Sequence, residues 1–301
     1  MSYLSTLKKK SQETLDNITK ELDKLNKSEY TEDGRFWQPT VDKAMNGSAL
    51  IRFLPSVEGE EFPFVQLWSH GFQGPTGQWY IENCLSTLKK DDPVNEYNNV
   101  LWNSTTDKDS PERKQVTAQK RKLHYISNIL VIKDPGNPEN DGKVFLFKYG
   151  KKIFDKINDA MHPDDLDKET KPAYNPFDLW EGANFKLRIR KFEGYRNYDK
   201  SEFETPSAIS DDDAELESIV KQLNPLLEFI APDKFKTYDE LKARLAKVLG
   251  ADATGPVTKS AEDALPEAKA PKIKETAAKV EKVSEPESEE VDDFFASLNE
   301  D

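Results

Sequence analysis

The chain has 301 residues, of which 36% are hydrophobic and 33% charged, enough for one core with solvated flanking segments. No apolar run exceeds a handful of residues, and residues 129–132 are typical. The N-terminus reaches lysines 8–10 without an apolar signal-peptide core. We therefore predict a cytoplasmic protein without membrane spans. A single cysteine, Cys84, excludes an intramolecular disulfide framework. Three histidines leave little material for a metal cluster or a Cys-His nucleophile.

The formal net charge of −13 is unevenly distributed. Residues 281–301 hold nine acidic residues and one lysine, and therefore carry −8 of that charge. Residues 110–152 hold ten basic residues against four acidic ones, and residues 184–200 six against two. A uniformly acidic surface would repel a polyanion, but a basic body with an acidic tail does not exclude a nucleic-acid partner.

Leucine and isoleucine recur at three- and four-residue spacings over residues 4–26, which predicts an amphipathic helix. Its apolar stripe is narrow and has no aromatic residue, so we expect an arm that docks on the body or on another subunit. Lys8, Lys9, Lys10 and Ser11 lie within it and either bind a phosphate or an acidic partner or form a solvated helix face.

The body, residues 28–250, is rich in strand signals separated by Gly, Pro and Asn turns. Strands are predicted at residues 49–54, 64–68, 79–82, 126–132, 143–149 and 184–192. They favour a mainly-β fold, an antiparallel barrel or sandwich, flanked by helices. One helix is predicted around residues 153–161, and another begins with a capping box at Thr237 and ends at Gly250.

After Gly250 the composition shifts to Ala, Lys, Glu, Pro and Ser, which predicts a disordered tail over residues 251–301. Its last segment has helical spacing of apolar residues among acids, typical of a short helix that enters a partner's groove. The alternative is an acidic tail that only aids solubility. The partner-binding candidates are Val291, Asp292, Asp293, Phe294, Phe295 and Leu298.

Basic and aromatic residues alternate in three segments of the body. On the strand at residues 184–190, alternation turns Lys186, Arg188 and Arg190 outward as one basic row. The other candidates are Lys120, Arg121, Lys122 and Tyr125; Phe147, Lys148, Lys151 and Lys152; and Tyr195, Arg196 and Tyr198. Bases that follow a phosphate backbone, with aromatic faces that stack on unpaired bases, suit a single strand. The alternative is a solvated sheet face with aromatic residues packed in the core.

No phosphate-binding loop, dinucleotide fingerprint, nucleophile elbow or H-E-x-x-H motif is present in the sequence. The carboxylate pairs lie in hydrophilic stretches beside Pro or Ser, typical of solvated turns. We therefore predict that the chain is not an enzyme.

The body contains five distinctive stretches: Ala-Leu-Ile-Arg-Phe-Leu-Pro-Ser at residues 49–56, Gln-Trp-Tyr-Ile-Glu-Asn-Cys at 78–84, Asn-Ile-Leu-Val-Ile-Lys-Asp-Pro at 128–135, Gly-Lys-Lys-Ile-Phe-Asp-Lys-Ile at 150–157 and Trp-Glu-Gly-Ala-Asn-Phe at 180–185. Together these stretches resemble the single-stranded DNA-binding proteins of T-even bacteriophages. The resemblance covers most of residues 30–250. It implies an OB-type barrel core over residues 28–250 with a small inserted subdomain at about residues 65–105. It also implies a basic N-terminal arm, residues 1–27, for cooperative self-association, and an acidic partner-binding tail, residues 251–301.

The resemblance assigns roles to individual residues. It places Tyr80, Tyr97, Tyr125, Tyr195 and Tyr198 at aromatic positions around the DNA cleft, with Phe147 where the family has tyrosine. Residues 120–122 match a basic triplet of the core, and residues 8–11 match the arm motif. The implied partners are single-stranded DNA, further copies of the chain, and viral DNA polymerase, helicase, helicase loader and recombination proteins.

The family's zinc site, with one His and three Cys, is only partly matched. His70 and Cys84 remain, but Asp92-Pro93-Val94-Asn95 replaces the final Cys-x-x-Cys. Asp92 could ligate zinc, whereas Asn is a poor ligand. We therefore expect no cofactor, with His70, Cys84 and Asp92 as the candidate ligands should zinc bind. We expect packing of Trp68, Phe72, Trp79 and Trp102 to hold this subdomain.

The function predicted from the sequence is cooperative, sequence-nonspecific binding of single-stranded DNA in phage replication, recombination and repair, in the cytoplasm of the host cell. The alternative, from a different functional class, is that the chain is an accessory subunit or degenerate nuclease of a nucleic-acid-processing enzyme.

Overall fold

The computed structural model describes residues 33–164, 172–250 and 259–260 of the chain. The strands are β1 (Gly47–Phe53), β2 (Val65–Gln73), β3 (Trp79–Asn83), β4 (Lys122–Lys133), β5 (Val144–Gly150), β6 (Asn184–Phe192), β7 (Tyr195–Asn197), β8 (Glu202–Phe203) and β9 (Lys259–Ser260). The helices are α1 (Pro93–Asn103), α2 (Pro111–Gln119), α3 (Lys151–Met161), α4 (Asp213–Val220) and α5 (Tyr238–Leu249). Single 3₁₀ turns lie at Leu85–Leu88, Pro138–Asn140, Leu227–Ile230 and Pro232–Lys234.

The predicted N-terminal helix lies outside these residues, as do the arm residues Lys8, Lys9, Lys10 and Ser11. The same is true of the tail segment Val291, Asp292, Asp293, Phe294, Phe295 and Leu298. Of the predicted tail only β9 is described, and it pairs with the end of β2. Within the described ranges, no helix combines the length and the apolar character that crossing a bilayer requires.

The named strands pair in antiparallel fashion, in the order β3-β2-β4-β1-β6-β7. The long β4 organises the sheet: its first half pairs with β2, its second half with β1, and its other edge with β5. A register shift between Leu50 and Ile51 interrupts the β1–β4 ladder, as a β-bulge does. The fold is therefore mainly β, with a curled antiparallel sheet that resembles half of a barrel.

All six predicted strands are confirmed, although β4 begins four residues before the predicted start, at Lys122. The two predicted helices are α3 and α5. The Thr237 hydroxyl accepts a hydrogen bond from the Glu240 N–H, and the Glu240 carboxylate accepts one from the Thr237 N–H at 2.8 Å, which completes the predicted capping box. Helices α1, α2 and α4 were not predicted. Each is preceded by a residue whose side chain accepts a hydrogen bond from a backbone N–H of the first turn: Asp92, Ser110 and Asp212.

The described part of the chain contains four clusters of buried apolar residues, of which the two largest lie on different halves of the sheet. The larger core contains residues of β1, β4, β5, β6 and α3, with Phe53, Ile129 and Phe185 fully buried. The second core encloses Phe72, Tyr80, Leu85 and Val94 and is completed by apolar residues of α5. At Gly74 a Cβ would lie 2.2 Å from the Val248 carbonyl oxygen, so the close approach of α5 to β2 requires glycine there.

The second core differs from the predicted aromatic packing. Phe72 is buried, as expected, but Trp68, Trp79 and Trp102 are only half-buried. The guanidinium of Arg113 lies 3.5 Å from the Trp102 ring centre, and that of Arg121 lies 4.6 Å from the Trp68 ring centre. Two of the tryptophans therefore support cationic side chains at the surface.

Candidate nucleic-acid interface

The predicted basic row on β6 is confirmed in its orientation. Phe185, Leu187 and Ile189 are buried, while Arg188 and Arg190 are exposed and Lys186 is half-buried. The row also contacts carboxylates that were not predicted: Lys186 Nζ lies 2.9 Å from Glu204 Oε1, and Arg188 Nη2 lies 3.7 Å from Glu202 Oε1. The hydrogen bond from Lys186 lowers the pKa of Glu204.

The row continues into a pair of exposed aromatic rings. Glu193 and Gly194 have φ values of 50° and 91°, as in a type I′ turn, and they join β6 to β7 in a tight hairpin. The turn places Phe192 opposite Tyr195, and these side chains are 62% and 53% exposed. Because strand side chains alternate, Phe192 lies on the same face as Arg188 and Arg190.

Phe192 was missed by the sequence analysis. The available signal was its position: it occupies the outward register of β6, where the preceding outward residues are basic. A large apolar side chain at such a position indicates a binding surface.

A groove of about 790 Å³ runs between this hairpin and the start of α3. The hairpin contributes Phe192, Tyr195, Arg196 and Tyr198, while the other wall is made by residues 150–153. The structure thus brings Lys151, Lys152, Tyr195, Arg196 and Tyr198 together from two separate sequence segments.

The start of α3 makes one wall of the groove suitable for an anion. Gly150 caps the helix without a side-chain hydrogen bond, and the first turn contains no acidic residue. The first backbone N–H groups of a helix lack intrahelical partners and carry partial positive charge. Together with Lys151 and Lys152, they give this wall a positive potential that suits a phosphate.

Both lysines of the groove are paired with carboxylates, of which Asp199 lines the groove and Asp155 does not. Lys152 Nζ lies 3.5 Å from Asp199 Oδ1, and Lys151 Nζ lies 3.2 Å from Asp155 Oδ2. The pKa of Asp199 is lowered by a hydrogen bond from the Asn197 amide and by Lys152. Exposed ion pairs of this kind contribute little to stability, because water and salt screen them, so a phosphate can replace the carboxylate.

Three aromatic residues predicted to contact DNA lie in the interior instead. Tyr80 is fully buried and stacks on Phe72 at 5.1 Å between ring centres. Tyr125 is 5% exposed and stacks on Phe154 at 3.9 Å, and Phe147 is 3% exposed. Their rings fill the two cores, so a base cannot stack on them in this conformation.

The remaining candidates from residues 97–148 do not line the groove. Tyr97 packs against the second core, and its hydroxyl accepts a hydrogen bond from Gln115 Nε2 at 3.1 Å. Lys120, Arg121 and Lys122 are half-buried where α2 ends and β4 begins. Arg121 Nη1 donates to Ser86 Oγ at 2.6 Å. Lys148 is exposed on β5, two residues before Gly150.

One histidine lies between the groove and β2. His124 on β4 is opposite Leu67 on one side and Gly150 on the other. Burial, followed by the charges of Lys148 and Lys122, lowers the pKa of His124 to about 3. The imidazole is therefore neutral at physiological pH.

The candidate metal ligands meet beside the second core. His70, Cys84 and Asp92 are all buried, and their ligand atoms lie within 4.8 Å of one another. Burial alone would lower the pKa of His70, but the Asp92 carboxylate, whose Oδ1 lies 3.4 Å from Nε2, and the nearby Cys84 reverse this and raise the pKa to about 9.

Comparison with known proteins places this geometry in a family. The family model described as "gp32 DNA binding protein like" matches residues 45–249, a range that contains the groove, the second core and all elements named above for the larger core. The chain belongs to the gp32-like family. It is 43% identical over 234 residues to the single-stranded DNA-binding protein of Enterobacteria phage T2, covering 75% of this chain and 73% of that protein. It is 42% identical over 239 residues to the single-stranded DNA-binding protein of Enterobacteria phage T4, covering 76% and 75%.

Membership of the gp32-like family confirms the resemblance inferred from the sequence. The matched range begins just before β1 and ends with the last residue of α5. The family relationship therefore rests on the body of the chain from β1 to α5.

Proposed function

We propose that this protein binds single-stranded DNA without sequence preference and coats it during phage DNA replication, recombination and repair. The observation that carries the proposal is the groove in which Lys151, Lys152 and the start of α3 face the exposed rings of Phe192 and Tyr195. Both relatives described above are named single-stranded DNA-binding proteins, which supports it.

The two walls of the groove suit the two parts of a nucleotide. The lysines and the helix N-terminus neutralise phosphates in any sequence, because every nucleotide carries the same charge. The aromatic rings stack on unpaired bases, and each such contact contributes about 1–3 kcal/mol. In a duplex the base faces are already stacked and unavailable, so the combination favours single strands.

The outward row of β6 extends this surface beyond the groove. Arg188 and Arg190 precede Phe192 on the same strand face, so a backbone that leaves the groove can follow them. DNA phosphates would then displace Glu202 from Arg188 and Glu204 from Lys186. Because the Arg188–Glu202 pair is exposed, the exchange costs little there.

We also propose an OB-type barrel for the larger core and an inserted subdomain for the second core. The curled antiparallel sheet around β4 supports the first assignment. The separate cluster around the β2–β3 hairpin and α1 supports the second, with α5 as an additional element of that cluster.

The ends of the chain complete the proposal. Residues 1–27 would serve cooperative self-association, and residues 251–301 would recruit DNA polymerase, helicase, helicase loader and recombination proteins. Both assignments rest on the sequence and the family resemblance. The protein acts by binding alone, so labelled single strands incubated with it in Mg²⁺ should remain intact.

The groove is tested by quenching of intrinsic fluorescence during titration with poly(dT), repeated across salt concentrations. Phe192→Ala and Tyr195→Ala should each weaken binding by about 5- to 100-fold, as expected for the loss of one stacking contact. Phe62→Ala is the matched control, because Phe62 is 57% exposed but does not line the groove. Equal affinity for duplex DNA, or equal loss in all three variants, would contradict the proposal.

A further inference from the structure

The buried site of His70, Cys84 and Asp92 lies where the β2–β3 hairpin meets the start of α1. The family resemblance implies a zinc ion here, held by one histidine and three cysteines. In this chain Asp92 and Asn95 stand in place of the last two cysteines. His70 is oriented as a ligand would be, because its Nδ1 lies 2.9 Å from the Gln119 carbonyl oxygen and its Nε2 has no hydrogen-bond partner among the described residues, 3.4 Å from Asp92 Oδ1. Whether the site suits the ion therefore depends on the hydrogen bonds around Asp92 and Asn95.

Asp92 has a structural task that a cysteine could not perform in the same way. Its Oδ1 accepts a hydrogen bond from the Val94 N–H at 3.0 Å, and its Oδ2 accepts one from the Leu85 N–H at 3.0 Å. The carboxylate therefore caps α1 and also ties that helix to the turn after Cys84. It is 2% exposed and satisfies backbone donors that would otherwise be buried without a partner.

Asn95 presents a donor where the fourth ligand would stand. Its Nδ2 donates to Ser86 Oγ at 2.9 Å and lies 3.6 Å from Cys84 Sγ. An amide NH₂ group has no lone pair to offer a metal ion. Structural zinc sites require four good ligands, and here the fourth position directs N–H groups inward.

Arg121 adds a positive charge beside Ser86, which also contacts Asn95. Its Nη1 donates to Ser86 Oγ at 2.6 Å, so the guanidinium and the Asn95 amide converge on one hydroxyl. A cationic group this close disfavours a second cation in a buried site. The donor set around Cys84 therefore suits a thiol within a hydrogen-bond network and fits zinc poorly.

We propose that a hydrogen-bonded cluster of Asp92, Asn95, Ser86 and Arg121 holds the hairpin to α1 in place of a metal ion. The cluster takes the place of a zinc ion as a cross-link, since it joins the turn after Cys84, which follows β3, to α1 and to Arg121. Folding of the second core then requires no metal and is insensitive to chelators.

The first test is metal analysis of the full-length protein purified from zinc-supplemented medium. We expect less than about 0.1 equivalent of zinc, no thiolate-to-cobalt absorption band on addition of Co²⁺, and an unchanged Tm in EDTA. Asp92→Cys/Asn95→Cys restores the four ligands and is the positive control for each readout. One equivalent of zinc in the native protein, with a fall in Tm on chelation, would overturn the proposal.

The second test concerns the cluster itself. Asn95→Ala removes the donor to Ser86 and should lower the Tm by roughly 2–8 °C, with or without EDTA. Asn99→Ala is the matched control, because Asn99 is exposed on the same helix. If Asn95→Ala and Asn99→Ala have the same Tm, then Asn95 does not stabilise the link between the turn after Cys84 and α1, and the proposal fails.

Discussion

At the scale of single residues, exposure decides which aromatic rings can stack on a base. Tyr80, Tyr125 and Phe147 share their residue type and strand location with good stacking residues, but their rings lie within the cores. Phe192 and Tyr195 lie beyond the core at a hairpin tip. Sequence alternation locates a strand face, whereas which face is covered depends on elements distant in the chain.

Asp199 acts as an internal substitute for a phosphate at Lys152. Asp199→Asn removes the carboxylate from the groove, so the positive potential there rises. We expect DNA affinity to increase about 2- to 5-fold at low salt, with the gain falling as salt screens the groove. Titration with an oligonucleotide at several salt concentrations measures this.

Glu217→Gln provides the control for Asp199→Asn. It changes the net charge by the same amount and breaks a comparable pair, Glu217 Oε2 with Lys221 Nζ at 3.1 Å on α4, outside the groove. The same gain in both variants would mean that net charge alone controls affinity.

The neutral state of His124 makes stability depend on pH. Its pKa of about 3 in the folded protein is below the ordinary value of 6.5, so below pH 6.5 the unfolded chain binds a proton that the folded protein excludes. The free energy of unfolding should therefore fall as pH decreases from 6.5 towards 3, with a slope that approaches about 1.4 kcal/mol per pH unit.

His124→Gln removes this titration, so its denaturation profile should be flatter than that of the native protein between pH 6 and pH 4. Urea denaturation at a series of pH values measures the difference. His162→Gln removes an imidazole that is exposed at the end of α3 and serves as the control. The assignment would be wrong if the two variants gave the same profile.

At the scale of elements, strands were predictable where apolar and polar residues alternate strictly. Helices were predictable where an apolar helix face coincides with an N-cap motif. Strand β6 was predicted to the residue, and α5 was located from its capping box. The short helix α2 was not predicted because its sequence is mostly polar, and α4 was not predicted because it has only eight residues. The groove could not be predicted, since its walls are 40 residues apart in the chain and meet only through the sheet.

The β6–β7 turn contains a residue that is poorly suited to its backbone. Glu193 has φ of 50°, a region where Asn is favoured, and its carboxylate lines the groove. Glu193→Asn should raise the free energy of unfolding by up to about 1 kcal/mol and also strengthen DNA binding at low salt. Thermal denaturation and oligonucleotide titration measure the two effects.

Glu193→Gln separates the two causes, because it removes the charge but not the conformational strain. We expect it to match Glu193→Asn in DNA affinity and to leave stability close to that of the native protein. A gain in stability of equal size in both variants would show that charge, and not backbone conformation, limits the turn.

At the scale of the whole molecule, the uneven charge connects the tail with the body. Residues 281–301 carry −8 and are tethered to a body with a basic groove, so they should compete with DNA phosphates for it. Removal of residues 281–301 should raise DNA affinity at low salt, with the gain shrinking as salt rises, and should abolish binding to partner enzymes. Affinity that is unchanged at every salt concentration would leave the tail with a recruitment role only.

The closure of the second core by α5 has a consequence for the order of folding. Phe72, Tyr80 and Val94 pack against Leu241, Leu245 and Val248, which are synthesised some 150 residues later. During translation the apolar face of the β2–β3 hairpin therefore stays exposed to solvent until almost the entire body has left the ribosome. Such non-local closure slows folding, because a long loop loses entropy before the contacts that compensate for it can form. A nascent chain stopped before residue 238 should bind chaperones at this face, and the binding should end once residue 249 has emerged.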